Sequence, residues 1–224
     1  MKKKSIFIIS LIVLILVLDQ ILKIWIKTNM SLGQEINLIG SWFKLHFIEN
    51  EGMAFGMVFF GGYWGKLILS VFRIAASVFI GWIIYKMIKS KVSWGLLITT
   101  ALVFSGAVGN IIDCAFYGKI FSASEYWGAV ATLFPESGGY APFLQGKVVD
   151  MFQFDLFTIY FPESFPIFGG GVFNFFPAIF NLADSSITIG LFAMILFYYK
   201  SLSQFIASFE SSKKKVIQED LEKK

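Results

Sequence analysis

The sequence predicts an all-α membrane protein with four transmembrane helices, a small extracytoplasmic β element and a long extracytoplasmic loop. Three observations lead there. Hydrophobic residues make up 56% of the 224, against roughly 45 to 50% in ordinary soluble domains, and the mean hydropathy is +0.70. Long apolar runs recur at lengths near the roughly 20 residues that a bilayer requires. Twelve of the 19 Lys and Arg stand in three groups: Lys2, Lys3 and Lys4; Lys86, Lys89 and Lys91; and Lys200, Lys213, Lys214, Lys215, Lys223 and Lys224. Such groups mark cytoplasmic ends. The net charge of +4 therefore reports topology, and no nucleic-acid partner is expected.

The first helix covers about residues 5–27. MKKK followed by the uncharged run Ser5 to Leu18 resembles a secretory leader. No small-x-small cleavage site follows, however, and the apolar pattern resumes as ILKIWIK after Asp19 and Gln20, so a membrane span is expected. Asp19 and Lys23 are one helical turn apart and pair near the outer interface, which lowers the cost of both. In the more polar stretch 28–64, Phe43, Leu45 and Phe47 alternate with Trp42, Lys44 and His46, the period of a strand. His46 is read as an interfacial strand residue without a visible partner. The strand runs into ENEGMAFGM, where Gly52 and Gly56 allow close backbone approach and Asn50 offers both a donor and an acceptor. As a bare pattern this is a turn.

The second helix covers about 66–86. Arg73 within it needs a polar partner or must snorkel, and KMIKSK after it is a cytoplasmic turn. The third, about 92–113, contains the small-residue stretch SGAVGN, suited to tight helix packing. It ends with Asn110 and Asp113 on one helical face, either as a helix-end anchor or as part of a site. From Phe116 to Phe175 glycine, proline and aromatics are scattered, which predicts an external loop resting on the membrane surface. Within it KVVDMFQFD reads as a short strand carrying Asp150. The fourth helix covers about 177–199, with Pro177 in its first turn. Asn181 and Asp184 there repeat the spacing of Asn110 and Asp113. Residues 1–200 are thus one membrane-embedded domain, and 201–224 are a charged cytoplasmic tail, helical or disordered, with both termini inside.

Cys114 is the only cysteine and His46 the only histidine. An internal disulfide, a cysteine-based metal cluster and most zinc or Ser-His chemistry are excluded. No cofactor or metal is expected, although two acids and two amides are donor types that a divalent ion accepts. Chemistry falls to the carboxylates. In the expected topology Asp19, Asp113, Asp150 and Asp184 lie on the outer side, together with Asn50, Asn110 and Asn181. A charge within a bilayer costs about 2.5 to 3.5 kcal/mol, so one shared polar site explains them better than separate helix caps. Two neighbouring acids in a low dielectric do not both ionise: one keeps a proton and polarises a carbonyl while the other deprotonates water. Residue chemistry alone does not select which acids these are. A small transporter or channel subunit also places acids in helices, and another intramembrane aspartyl protease type would carry a GxGD motif that this chain lacks.

Five short motifs carry a resemblance: DQILK at Asp19 to Lys23, NEGMAFG at Asn50 to Gly56, GNIID at Gly109 to Asp113, VVDMF at Val148 to Phe152 and FNLAD at Phe180 to Asp184. In this order they resemble the signal peptidase II family, bacterial lipoprotein signal peptidases that are aspartyl proteases of the inner membrane. The resemblance implies that Asp150 and Asp184 are the catalytic dyad, with Asp19, Lys23, Asn50, Gly52, Asn110, Asp113 and Asn181 in support. It also implies a diacylglyceryl-modified prolipoprotein substrate cut just before its lipidated cysteine, in contact with membrane lipids, by a monomer. Two departures stand out. Cys114 occupies a position where the family usually has arginine, so that charge is missing or is replaced by Lys119 or Arg73. Long insertions also separate Asp113, Asp150 and Asp184, and they are expected to form an enlarged lid or a partner surface.

Overall fold

The structure, a computed structural model, describes residues 2–51, 63–166 and 169–222. Gly52 and the MAFG that follows it lie outside the described residues. Among the described residues three helices are long and apolar enough to cross a membrane: α1 (Lys2–Asn29), α2 (Tyr63–Lys89) and α3 (Trp94–Ile112), the last extended to Ile120 by a π-helical turn (Asp113–Tyr117) and a short α4 (Gly118–Ile120). A fourth candidate arises if α5 (Leu182–Phe197) and α6 (Tyr199–Glu222), bent by 86° at their junction, count as one broken span.

The chain divides into two compact units. The first comprises Met1–Leu16, Arg73–Val108 and Ala183–Lys224. Its core gathers Ile8, Ile84, Met87, Leu96, Leu97, Ala101 and Phe205. Outward faces remain apolar, with Ile9, Val13, Val78, Phe79, Phe192 and Ile195 exposed; so large an apolar surface is expected only where lipid covers it. The small residues of SGAVGN pack as the sequence suggests. A Cβ at Gly106 would overlap the carbonyl oxygen of Ala183, and one at Gly190 would lie 2.8 Å from the carbonyl oxygen of Thr99. These contacts set the backbone of α5 directly on α3, and the first turn of α5 carries Asp184.

The second unit comprises Val17–Phe72 and Gly109–Leu182. It holds an antiparallel sheet in the order β1 (Glu35–Ile39), β2 (Phe43–Asn50), β3 (Val148–Phe154) and β6 (Ile179–Phe180). The strands read from Trp42–Phe47 and from Lys147–Asp155 are β2 and β3. Gly40, at φ +54°, makes the tight turn between β1 and β2. Between Leu45 and Ile48 the β2–β3 register shifts, so that His46 and Phe47 together face Met151. After this bulge, Phe47 and Glu49 lie on one face with Val149 and Met151, while Ile48 and Asn50 lie on the other with Val148 and Asp150. The first face packs with Ile26, Met30, Tyr117 and Phe121 into the core of the unit. The second carries stacked aromatic rings, with Phe43 4.9 Å from Phe154 and 5.9 Å from Phe152.

Segment 116–175, expected to be a loop, is irregular over most of its described length but carries some regular structure. Beyond the π turn and β3 it includes a hairpin of β4 (Thr158–Tyr160) and β5 (Val172–Asn174). The last long apolar helix also starts at Leu182 rather than 177. Ile179 and Phe180 pair with Gln153 and Phe152 of β3, which keeps their backbone extended, and Pro177 precedes that strand instead of opening the helix. His46, read as partnerless, has its Nδ1 2.7 Å from Gln153 Oε1.

Candidate active site

Asp19, Lys23 and Lys27 follow one another at intervals of four on α1 and so share a face. Lys23 Nζ lies 2.9 Å from Asp19 Oδ2 and 2.9 Å from Asp113 Oδ2, and it donates to Asn110 Oδ1 at 2.9 Å. All three charged side chains are at most 1% exposed. One ammonium between two carboxylates and an amide oxygen meets the condition for burying charge, since every partner is hydrogen-bonded. Gln20 closes the group from the other side. Its Nε2 lies 2.9 Å from Asp113 Oδ1, 3.2 Å from Asp19 Oδ2 and 3.3 Å from the Gly109 carbonyl, and its Oε1 accepts from the Tyr117 hydroxyl at 3.0 Å.

Asp113 and Tyr117, four residues apart, are both buried in the π turn that continues α3. Gly146 lets the approach to β3 run against it: a Cβ there would overlap the Asp113 carbonyl oxygen, and the Gly146 N–H donates to the Cys114 carbonyl at 2.8 Å. Asp113 Oδ2 then accepts from the backbone N–H of Val149 at 3.3 Å. The end of α3 is thereby tied to the residue preceding Asp150.

Asp150, buried on β3, is held through both carboxylate oxygens. Oδ1 accepts from Asn181 Nδ2 at 2.7 Å and Oδ2 from Asn50 Nδ2 at 3.2 Å. Asn181 Nδ2 also lies 3.2 Å from Asn110 Oδ1. Asp19, Lys23, Asp113, Asn110, Asn181, Asp150 and Asn50 therefore form one continuous polar network. Seven of the nine residues singled out in the sequence meet in it. Asp184 stands partly buried in the first unit, and Gly52 lies outside the described residues.

Two members of this network were not singled out from the sequence, Gln20 and Tyr117. Gln20 adjoins Asp19 within DQILK, and its polarity inside an apolar helix was the available signal. For Tyr117 the available signal was its spacing of four from Asp113. The cation beside Asp113 is Lys23, while Lys119 is exposed. A second buried cluster surrounds Lys27, which pairs with Glu49 and donates to Ser124 Oγ at 2.8 Å. Tyr140 flanks it, and burial pushes the Tyr140 phenol up from its ordinary pKa.

The family model described as "Signal peptidase (SPase) II" matches residues 11–200. A lipoprotein signal peptidase of Porphyromonas gingivalis is 45% identical over 195 residues, covering 87% of this chain and 83% of that protein. One of Amoebophilus asiaticus is 35% identical over 203 residues, covering 89% and 80%. A solved structure of a bacterial membrane enzyme shares the fold at TM-score 0.56 and 22% identity, over 88% of this chain and 90% of that one. With its motifs in order and nearly the whole chain matched, this chain belongs to the signal peptidase II family.

Proposed function

We propose that this protein is a lipoprotein signal peptidase that cuts diacylglyceryl-modified prolipoproteins just before the lipidated cysteine, with Asp150 and Asp184 as an aspartic dyad. The observation that carries this reading is the hold on Asp150: both its oxygens accept from side-chain amides, and one of these amides, Asn181, precedes Asp184 by three residues. The network of Lys23, Asp19, Asp113 and Asn110 serves to fix those amides. Gly52 is assigned to the supporting set by its place in NEGMAFG.

In the proposed reaction the two carboxyls hold one proton between them. The ionised one removes a proton from water, and the protonated one donates a hydrogen bond to the scissile carbonyl. Hydroxide adds to that carbon to give a tetrahedral intermediate. Its collapse breaks the C–N bond, with a carboxyl proton passing to the departing amine, which becomes the new N-terminus at cysteine. No metal or cofactor takes part.

The arrangement proposed has four spans, with α5 and the start of α6 forming the fourth, in the bacterial cytoplasmic membrane. Lysine clusters put both termini in the cytoplasm and the acids near the outer leaflet. Residues 1–200 act as one peptidase domain with 201–224 as a cytoplasmic tail, and the protein works as a monomer. The β4–β5 hairpin lies on the lipid headgroups; its Phe157, Tyr160 and Phe173 are exposed, as suits the bilayer interface. The deciding experiment is cleavage of a diacylglyceryl prolipoprotein by purified protein in detergent, with Asp150→Asn and Asp184→Asn compared at equal folded fraction. Full activity in either variant would overturn the dyad.

A further inference from the structure

The bulge in β2 creates an ambiguity that the fold has to resolve. Ahead of it Phe43, Lys44 and Leu45 face Phe154, Gln153 and Phe152; behind it Ile48, Glu49 and Asn50 face Asp150, Val149 and Val148. Were the first register to continue without the bulge, Phe47 would face Asp150 and Glu49 would face Val148. Glu49 would then occupy the place from which Asn50 donates to Asp150. A one-residue slip moves every later side chain to the opposite face, so the slipped strand would set a carboxylate beside Asp150 and bury the Asn50 amide in the core.

Glu49 is held away from that face. It is 4% exposed on the core side of the sheet and pairs with Lys27, whose side chain is 0% exposed. Ser124 Oγ donates to Glu49 Oε1 at 2.8 Å, and Lys147 Nζ lies 3.6 Å from Glu49 Oε2. Lys27 Nζ sits 5.0 Å from the Tyr140 ring centroid and 5.4 Å from that of Phe121, within the range of cation–π attraction. The Tyr140 hydroxyl in turn accepts from the Lys147 backbone N–H at 2.7 Å. Most of these partners come from residues 121–147, within the long separation between Asp113 and Asp150. A buried ion pair contributes little net stability over an apolar replacement, but it penalises any arrangement that leaves one of its charges alone. A slip of β2 would do so to Lys27.

We propose that the Lys27–Glu49 pair, enclosed by Ser124, Tyr140 and Lys147, is a register lock that keeps Asn50 against Asp150, making Lys27 and Glu49 positioning residues for the reaction. This rests on the dyad reading above.

The test measures kcat and KM on a diacylglyceryl prolipoprotein peptide for Lys27→Met, Glu49→Gln and Lys27→Arg in the full chain, per folded molecule, with Asp150→Asn alongside. Lys27→Met and Glu49→Gln are expected to lower kcat by about ten- to a hundredfold, the scale of a small misplacement of reacting groups, with KM nearly unchanged. Lys27→Arg, which keeps the charge, should recover most of that loss. Hydrogen exchange should rise in residues 43–51 and 148–154 in the first two variants. Folded Lys27→Met or Glu49→Gln with wild-type kcat overturns the lock, as does a loss that Lys27→Arg fails to relieve. If Lys27→Met does not fold, Glu49→Gln decides in the same way. An active Asp150→Asn would instead overturn the dyad, so the two failures are distinct.

Discussion

Asn181 donates to Asp150 Oδ1 at 2.7 Å while lying 3.2 Å from Asn110 Oδ1, so a single amide joins the strand that carries one aspartate to the end of α3. It leaves neither the Asp150 oxygen nor the Asn110 oxygen free to turn. Replacing Asn181 with Ala removes the donor and leaves buried acceptors short of a partner, at a cost of about 1 to 3 kcal/mol. The loss should show as a lower unfolding midpoint, together with a kcat reduced more than KM is raised.

Lys23 is the only ammonium that touches both Asp19 and Asp113 among the described residues. Lys23→Met strands two buried carboxylates and should destabilise the fold by about 3 to 5 kcal/mol. Chemical unfolding in detergent measures this. Lys23→Met combined with Asp113→Asn removes one of the stranded charges and should be less destabilised than Lys23→Met alone.

Gly106 and Gly138 offer a matched contrast. At Gly106 a side chain meets the backbone of Ala183; at Gly138, φ +84°, nothing lies within 4 Å. Gly106→Val should force α3 and α5 apart and abolish most activity, since a backbone contact has no flexible atom to yield. Gly138→Ala should cost about 1 to 2 kcal/mol of backbone strain and leave cleavage intact. Thermal unfolding and turnover of the two variants separate these effects.

A carboxylate dyad that activates water without a metal predicts that exhaustive chelation leaves the rate of the purified enzyme unchanged. Turnover before and after EDTA dialysis, with Mg²⁺ added back, checks this. A rate lost to EDTA and restored by Mg²⁺ would require a metal step instead.

The exposed rings of the β4–β5 hairpin matter only where there is a bilayer to receive them. Changing Phe157, Tyr160 and Phe173 together to Ser should leave turnover in detergent within about twofold while reducing it in nanodiscs, because aromatic side chains anchor at the headgroup level. Equal loss in both media would point to a folding role.

Local spacing made part of this site legible. Asp19 and Lys23 meet on any helix, because four residues make about one turn, and the period-two pattern of Phe43 to Phe47 and the stretch KVVDMFQFD mark two strands, though not the faces on either side of the bulge. The closures across elements were not legible in the same way. Lys23 of α1 meets Asn110 near the end of α3 and Asp113 in the π turn that follows it, and Asn50 reaches Asp150 only because a bulge shifts β2 by one residue. Neither irregularity has a composition of its own. The late start of α5 has a similar cause: Pro177 is as compatible with the approach to a strand as with a first helical turn, and the pairing of Phe180 with Phe152 decides between them. The pairing of Lys27 with Glu49 lies beyond any spacing rule, since it joins a helix to a strand whose register is itself irregular.

The sharp bend after α5 has a consequence for the surrounding lipid. The 16 residues of α5 rise about 24 Å, less than the roughly 30 Å of hydrocarbon in an ordinary bilayer. With α6 departing at 86°, the start of α6 adds little to the depth that the fourth span proposed above can reach. The membrane beside it must thin or the helix must be met by displaced headgroups, at a fraction of a kcal/mol per Å. In that arrangement the protein deforms its own solvent, creating a shallow place in the bilayer next to the helix whose first turn carries Asp184.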